Sequence, residues 1–180
     1  MENGSGSYRR FLDGDEEALV ALIDEYKDGL ILYLNSFVQN ITLAEELAED
    51  TFVRLAVKRP VDKGKGSFKT WLYTIGRNVA INELRRRARH REAPVEEFPP
   101  EETQALEESY IKEEQKLLLL RAMGELPADQ RQALWLVYFE EMSARDAASV
   151  MKKSVHAVEM LLYHARQKLR SSLNREDFDL

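Results

Sequence analysis

The stretch Ser143-Ala-Arg-Asp-Ala-Ala-Ser-Val-Met-Lys-Lys-Ser-Val-His-Ala-Val-Glu-Met-Leu-Leu-Tyr-His-Ala-Arg-Gln-Lys-Leu169 decides the fold. Ser143 and Ser154 are both good helix N-caps, because a serine hydroxyl can accept from the first free backbone N–H groups. They predict a short helix to about Lys152 and a second to about Ser172, joined by a tight turn in the helix-turn-helix manner. Such helices cross closely, and Ala147, Ala148, Met151, Val158 and Leu161 supply small or apolar residues at the crossing. The second helix buries Val155, Val158, Leu162, Ala165 and Leu169, which turns His156, Glu159, Met160, Tyr163 and Gln167 outward. A face of that kind suits the major groove, where only side chains that reach base edges carry sequence information. Lys152, Lys153, Arg166, Lys168 and Arg170 stand ready for the flanking phosphates. The turn itself asks for a left-handed residue, a conformation that costs a lysine such as Lys152 ~1–2 kcal/mol. An ordinary helical hairpin shares this spacing, so the nucleic-acid reading needs support from the rest of the chain.

Working upstream, Pro127 opens a helix over Ala128 to Glu140, since proline fits the first helical turn. A further apolar-periodic segment runs from Ser109 to Met123 and stops before Gly124. Residues 91–108, with Ala93-Pro94, Pro99-Pro100 and seven glutamates, read as a flexible acidic linker. Before it lies a long helix from Ser67 to about Arg89, striped by Phe68, Leu72, Ile75 and Val79, and ending in an arginine run. The loop from Arg59 to Ser67 is punctuated by Pro60, Gly64 and Gly66. Thr42 and Glu45 form a capping-box pattern for a helix to about Val57. The first periodic segment starts near Asp15 and continues through Leu34 and Phe37, with Gly29 as a point of interruption. No alternating Val/Ile/Thr run predicts a strand. The fold class is therefore all-α: two small helical domains, residues 8–90 and 109–175, joined by the linker at 91–108.

Charge is laid out in blocks. The net charge is −6, yet residues 59–91 hold ten basic and two acidic side chains. Residues 1–58 hold five basic against twelve acidic, and residues 92–125 three against ten. A second basic stretch, 152–175, has six basic side chains and Glu159 as its acid. Screening limits each field to about 8 Å at physiological salt, so local blocks govern binding more than an overall pI near 5.3. With no cysteine and three histidines, disulfides, thiolate chemistry and cysteine-based zinc sites are excluded, and no cofactor is expected. The start of the chain has neither the positive charge nor the apolar run of a signal peptide, and no stretch approaches the ~20 apolar residues of a membrane span. The expected location is the cytoplasm.

Two further surfaces stand out. The segment Phe68-Lys-Thr-Trp-Leu-Tyr-Thr-Ile-Gly-Arg-Asn-Val-Ala-Ile-Asn-Glu-Leu-Arg-Arg-Arg87 joins aromatics, amides and arginines on one helix. Aromatic faces stack on unpaired bases for ~1–3 kcal/mol each while arginines follow the backbone, a combination suited to single-stranded or opening DNA. Trp71 and Tyr73 also fit simple core packing. The helix after Thr42 carries Glu45, Glu46, Glu49 and Asp50 beside Phe52 and Val53, a crowding of like charge that a basic protein partner would relieve.

Taken together, these residues resemble the extracytoplasmic-function (ECF) sigma factors, small bacterial subunits that give RNA polymerase its promoter specificity. Ala44-Glu-Glu-Leu-Ala-Glu-Asp-Thr-Phe52 is similar to the polymerase-binding helix of sigma region two, the Phe68–Arg87 segment to the part that melts and reads the −10 element, and Leu126-Pro-Ala-Asp-Gln-Arg-Gln-Ala-Leu134 with the helix-turn-helix to sigma region four. The resemblance implies that Glu46, Glu49, Asp50 and Phe52 bind core RNA polymerase. It implies that Lys63, Lys65, Trp71, Arg77, Asn78, Arg85, Arg86 and Arg87 meet promoter DNA at the −10 element. Lys152, Lys153, His156, Glu159, Met160, Tyr163 and Arg166 would meet the −35 element. It further implies an anti-sigma factor as a regulatory partner. The chain departs from the family at Lys152-Lys153, where Gly and an apolar residue are common, and at Glu159 and Leu161, where many relatives are basic; these bear on the −35 sequence.

Other classes fit less well. A stand-alone helix-turn-helix regulator would leave the Trp71–Arg89 segment without a task. An enzyme lacks its motifs: Gly64-Lys-Gly-Ser-Phe-Lys-Thr70 has Phe68 where a phosphate loop needs glycine, and Ser149-Val-Met-Lys152 has no companion motif.

Overall fold

A computed structural model describes residues 4–62, 66–90 and 110–173, with side chains from residue 117 onward in the last of these. Eight α-helices and a π-helical turn account for the regular structure of the described residues: α1 (Gly4–Leu12), α2 (Glu16–Val38), α3 (Ile41–Lys58), α4 (Phe68–His90), α5 (Tyr110–Gly124), α6 (Ala128–Leu134), the π turn (Trp135–Phe139), α7 (Ala144–Met151) and α8 (Val155–Leu173). The expected linker, 91–108, lies outside the described residues.

The helix boundaries follow from local chemistry. Asp15 caps α2 by accepting from the Ala18 N–H, and Ser67 caps α4 by accepting from the Thr70 N–H at 3.1 Å. Ser143 and Ser154 cap α7 and α8 as predicted, through the Asp146 and Ala157 N–H groups. The start of α3 differs: Asn40, with the Leu43 N–H 2.9 Å from its Oδ1, is the cap, and Thr42 is already helical. The amide at Asn40 reaches the first turn two residues earlier and makes the capping box redundant. Helix α1 was not predicted; Ser- and Gly-rich text has little helix propensity, and what holds it is tertiary. Tyr8 and Phe11 are buried, Tyr8 packs on Phe68 and Trp71 at 5.7 and 5.2 Å, and its hydroxyl donates to the Pro60 carbonyl at 2.8 Å. Burial pushes the Tyr8 phenol up to about 12.

Helices α2 and α3 form an antiparallel hairpin, with α1 and α4 packed across it. Its core is Leu22, Leu30, Leu34, Leu47, Leu55, Phe68, Leu72 and Tyr73, all close to fully buried. Gly76 is the contact point of α4 with α2: a Cβ there would lie 2.9 Å from the Leu30 Cδ1. Gly29 does not interrupt α2, which is continuous across it. In the second half α6, α7 and α5 pack around α8 over Ala133, Leu136, Val150, Met151, Val158, Leu162 and Ala165. The helix predicted from Ala128 to Glu140 widens into the π turn after Leu134, with Glu140 N–H bonded to the Trp135 carbonyl and Trp135 stacked on Phe139 at 4.3 Å.

The two halves are packed together. Helix α6 lies on α2 and α7 lies on α4, and their buried side chains form one continuous apolar cluster. Arg131 of α6 is buried and donates to the Ser36 carbonyl of α2 and to the carbonyls of Gly124 and Leu126. The Ser36 carbonyl lies in the last turn of α2 and that of Gly124 at the end of α5, both negative ends of helix dipoles, so a cation is matched there without a carboxylate. Loss of hydration lowers its pKa from the usual arginine value.

Lys152 holds the predicted left-handed turn, at φ 54° and ψ 45°. The strain of ~1–2 kcal/mol exceeds the ~0.5–1 kcal/mol by which glycine loosens the unfolded chain. Lys152→Gly is therefore expected to stabilise the protein by about 0.5–1 kcal/mol, seen as a rise of a few degrees in Tm, provided the helix-turn-helix folds with the rest. An unchanged or lower Tm would show that the turn carries no net strain.

Candidate nucleic-acid and protein interfaces

Helix α3 sorts its residues sharply. Leu43, Ala44, Leu47, Ala48, Thr51 and Leu55 face the core, and Glu45, Glu46, Glu49 and Asp50 are exposed. Among the described residues none of these carboxylates has an ion-pair partner, so the negative face is unneutralised. Phe52, expected on this surface, is instead turned inward and is 6% exposed, because it follows Thr51 on the buried arc. The apolar neighbours of the carboxylates are Val53 and Val57, both well exposed. Val57 was missed by sequence reasoning, though the four-residue steps Glu49, Val53, Val57 mark one helix face.

Helix α4 divides along its length. Its first turns are structural: Phe68 and Tyr73 are buried, and Trp71 is half-buried against Tyr8 and Phe68. Trp71 therefore has one edge committed to the core. Asn78 is half-exposed on the next turns. Arg77 is tied to the other half of the molecule, with its Nε 3.3 Å from the Gln132 Oε1. Beyond Leu84 every residue to His90 is exposed. Here Glu83 clasps two of the three consecutive arginines: Arg86 bonds both carboxylate oxygens at 2.7 Å, and Arg87 bonds one at 2.8 Å. These hydrogen bonds hold the Glu83 carboxyl at about 2, well below the usual carboxylate range. Arg85 points from the same exposed end. Lys63 and Lys65 lie outside the described residues.

The third surface is the outer face of α8. His156, Glu159, Met160, Tyr163 and Arg166 are all exposed, with Lys152 and Lys153 at the turn that leads into it. Val155, expected in the core, is exposed instead, and the buried side of α8 begins at Val158. Two of the basic groups are already engaged. Lys153 pairs with Asp129 at 2.9 Å, and Arg166 donates to the Tyr138 hydroxyl at 3.1 Å. Tyr138, on the π turn, extends the α8 face with a half-exposed ring that the sequence pattern did not reveal, since the pitch change there breaks helical periodicity.

The three surfaces differ in what they can bind. An acidic helix with exposed valines matches a basic, partly apolar protein surface. An arginine-rich helix end matches phosphates. A protruding helix with mixed polar side chains matches a groove. Among the described residues no helix is long and apolar enough to cross a membrane, and no cluster of His, Cys, Asp or Glu is arranged to hold a metal ion.

Comparison with known proteins gives a consistent result. Residues 22–90 match the family model for Sigma-70 region 2, and residues 116–169 that for Sigma-70, region 4. The RNA polymerase sigma-H factor of Pseudomonas aeruginosa is 27% identical over 172 residues, covering 89% of this chain and 88% of that protein. The ECF RNA polymerase sigma factor SigM of Bacillus subtilis is 28% identical over 151 residues, covering 83% and 91%. In fold, the chain is similar to the sigma factor RpoE of Bartonella quintana, solved with the anti-sigma factor NepR, at a TM-score of 0.68 and 22% identity over 89% of this chain and 97% of that one. It is also similar to CnrH, solved with the cytosolic domain of CnrY, at a TM-score of 0.66 and 24% identity over 95% and 97%.

The Glu83 clasp yields a test. Glu83→Gln frees Arg86 and Arg87, and roughly threefold tighter binding to a single-stranded oligonucleotide is expected, as befits an exposed ion pair. Two added phosphate contacts would steepen the log K against log salt slope by about 1.4. Fluorescence anisotropy across a salt series measures both, and an unchanged slope would mean that this end of α4 does not meet phosphate.

Proposed function

The chain belongs to the sigma-70 family, in its ECF branch, and directs transcription initiation; from that premise we propose which of its surfaces meets polymerase, the −10 element and the −35 element. Helix α3 docks on core RNA polymerase through Glu46, Glu49 and Asp50, with Glu45, Val53 and Val57 completing the face. The complementary surface is basic and presents apolar side chains to the two valines. Phe52 supports this helix from within.

Helix α4 and the loop before it handle the −10 element. Trp71, Asn78, Lys63 and Lys65 bind an extruded or unpaired base, and Arg77 and Arg85–Arg87 follow the backbone. Unstacking a base costs a few kcal/mol, which stacking on an aromatic edge and phosphate contacts offset. The outer face of α8, with His156, Glu159, Met160 and Tyr163, reads the −35 element, while Lys152, Lys153 and Arg166 hold its phosphates. Glu159 favours a cytosine amine over a guanine edge at its position. No step here requires a catalytic group, so the protein selects the start site and leaves nucleotide chemistry to polymerase, in the cytoplasm. An anti-sigma factor is the expected inhibitory partner.

The observation that carries this reading is the unneutralised carboxylate face of α3 beside the exposed valines. A duplex-binding regulator that acts alone has no use for it, since an acidic surface repels DNA. Glu46→Lys with Asp50→Lys is expected to abolish binding to core RNA polymerase, at least a hundredfold, while circular dichroism and Tm stay near wild type. Binding of labelled protein to core enzyme measures it. An unchanged affinity would show that the acidic face is only solvated.

A further inference from the structure

Besides Arg131 and the shared apolar cluster, one carboxylate crosses between the halves where α6 and α7 pack on α2 and α4. Glu140, at the end of the π turn, reaches from the C-terminal half into the N-terminal half, and its side chain is only 9% exposed. Its Oε2 lies 2.8 Å from Lys69 Nζ and accepts from the Tyr73 hydroxyl at 2.7 Å; Lys69 also donates to the Glu140 backbone carbonyl at 2.9 Å. Gly29 makes room for the group, since a Cβ there would stand 2.6 Å from the Tyr73 hydroxyl and 3.0 Å from the Glu140 Oε1. Both polar partners of the carboxylate sit on α4. So does Arg77, held by Gln132 of α6. Helix α7 packs along α4 as well.

We propose that Glu140 is a latch: by engaging Lys69 and Tyr73 over Gly29 it holds the C-terminal domain closed against α4, so that Arg77 and the part of α4 beneath α7 are free only when the chain opens. The physical case has two sides. A nearly buried carboxylate with a lysine and a tyrosine on one oxygen is a directed contact that only the closed arrangement satisfies. Yet the contact region also leaves polar atoms without a protein partner. Tyr33 Oη and Asn35 Oδ1 on α2, Gln130 Oε1 on α6 and Trp135 Nε1 on the π turn are buried and unpaired among the described residues. Opening exposes them to solvent, so the closed form is opposed by groups that water would satisfy. A closed state that Glu140 helps to hold, beside the Arg131 contact and the shared apolar cluster, and that unmet hydrogen bonding opposes, is a two-state device that a partner with differential affinity can shift. Binding to the open form would then be weakened by the fraction of chains that are closed.

The inference rests on the −10 reading of α4 for its effect on DNA, but not for the motion itself. Because the chain has no cysteine, Glu17→Cys and Lys168→Cys label one exposed site in each half of the full-length protein. The distance between labels, by pulsed spin-resonance or single-molecule fluorescence, is expected to be short and narrow in the parent. In Glu140→Lys, which sets a cation against Lys69, it should become long and broad. Lys69→Glu combined with Glu140→Lys restores opposite charges and should bring back the short distance. Glu140→Gln, which removes the charge and keeps the shape, should give a partial opening, and it serves in place of the lysine variant if that one does not fold. An unchanged distance in the folded Glu140 variants, or a double variant as open as the single one, overturns the latch. Affinity for a single-stranded −10-type oligonucleotide should rise about tenfold in the opened variants. Opening without that rise would sustain the latch and overturn the DNA role of α4.

Discussion

Everything in this molecule leans on helix α2. Its 23 residues contact α1, α3, α4, α6 and the π turn, so it has neighbours around most of its circumference. Leu22, Leu30, Tyr33 and Leu34 are completely buried as a result. The carbonyl end of the helix is covered as well, and must be satisfied by something other than water. Arg131 does this at Ser36, and Gln39, in the left-handed position that ends α2, donates to the Gly124 carbonyl at 2.9 Å. The same helix therefore builds the N-terminal core and receives the C-terminal domain.

The functional faces are what remains after that packing. On α3 the inward arc is taken by leucine and alanine, and the carboxylates have no ion-pair partner among the described residues. On α4 the apolar half anchors to α1 and α2, and the basic half continues beyond the core, where Glu83 moderates its charge. On α8 one side closes the helix-turn-helix and the other is free. Opposite signs thus occupy adjacent helices, which is how a chain with a net charge of −6 can carry strongly basic surfaces.

Much of this was legible in the residues. Periodicity gave the all-α class and the positions of α2, α4, α7 and α8, and the serines at 143 and 154 marked helix starts correctly, because a cap is a local interaction. The left-handed turn at Lys152 was expected because many helix-turn-helix motifs carry glycine at that place. What escaped was decided at a distance. Helix α1 owes its existence to Tyr8 and Phe11 finding Phe68 and Trp71, a contact no local propensity encodes. Phe52 looked like a surface aromatic beside acids, and only the arc of α3 that meets α2 reveals it as core. Val155 was placed inside by its helical phase, but the buried side of α8 begins at Val158. The π turn shifted the pattern by one residue, hiding Tyr138 and the approach of Glu140. The closed packing of the two domains was invisible for the same reason: its donors and acceptors lie far apart in sequence.

A shared apolar cluster has a consequence for how such a protein can change. Residues on the inner side of α6, Ala133 and Leu136 nearby among them, answer to a second domain as well as to their own. A substitution there is filtered twice, once for folding of the unit that carries it and once for fit to its neighbour. Exchange of whole domains between distant relatives would join faces never tuned to one another. The halves of this chain are thus bound to diversify as a pair.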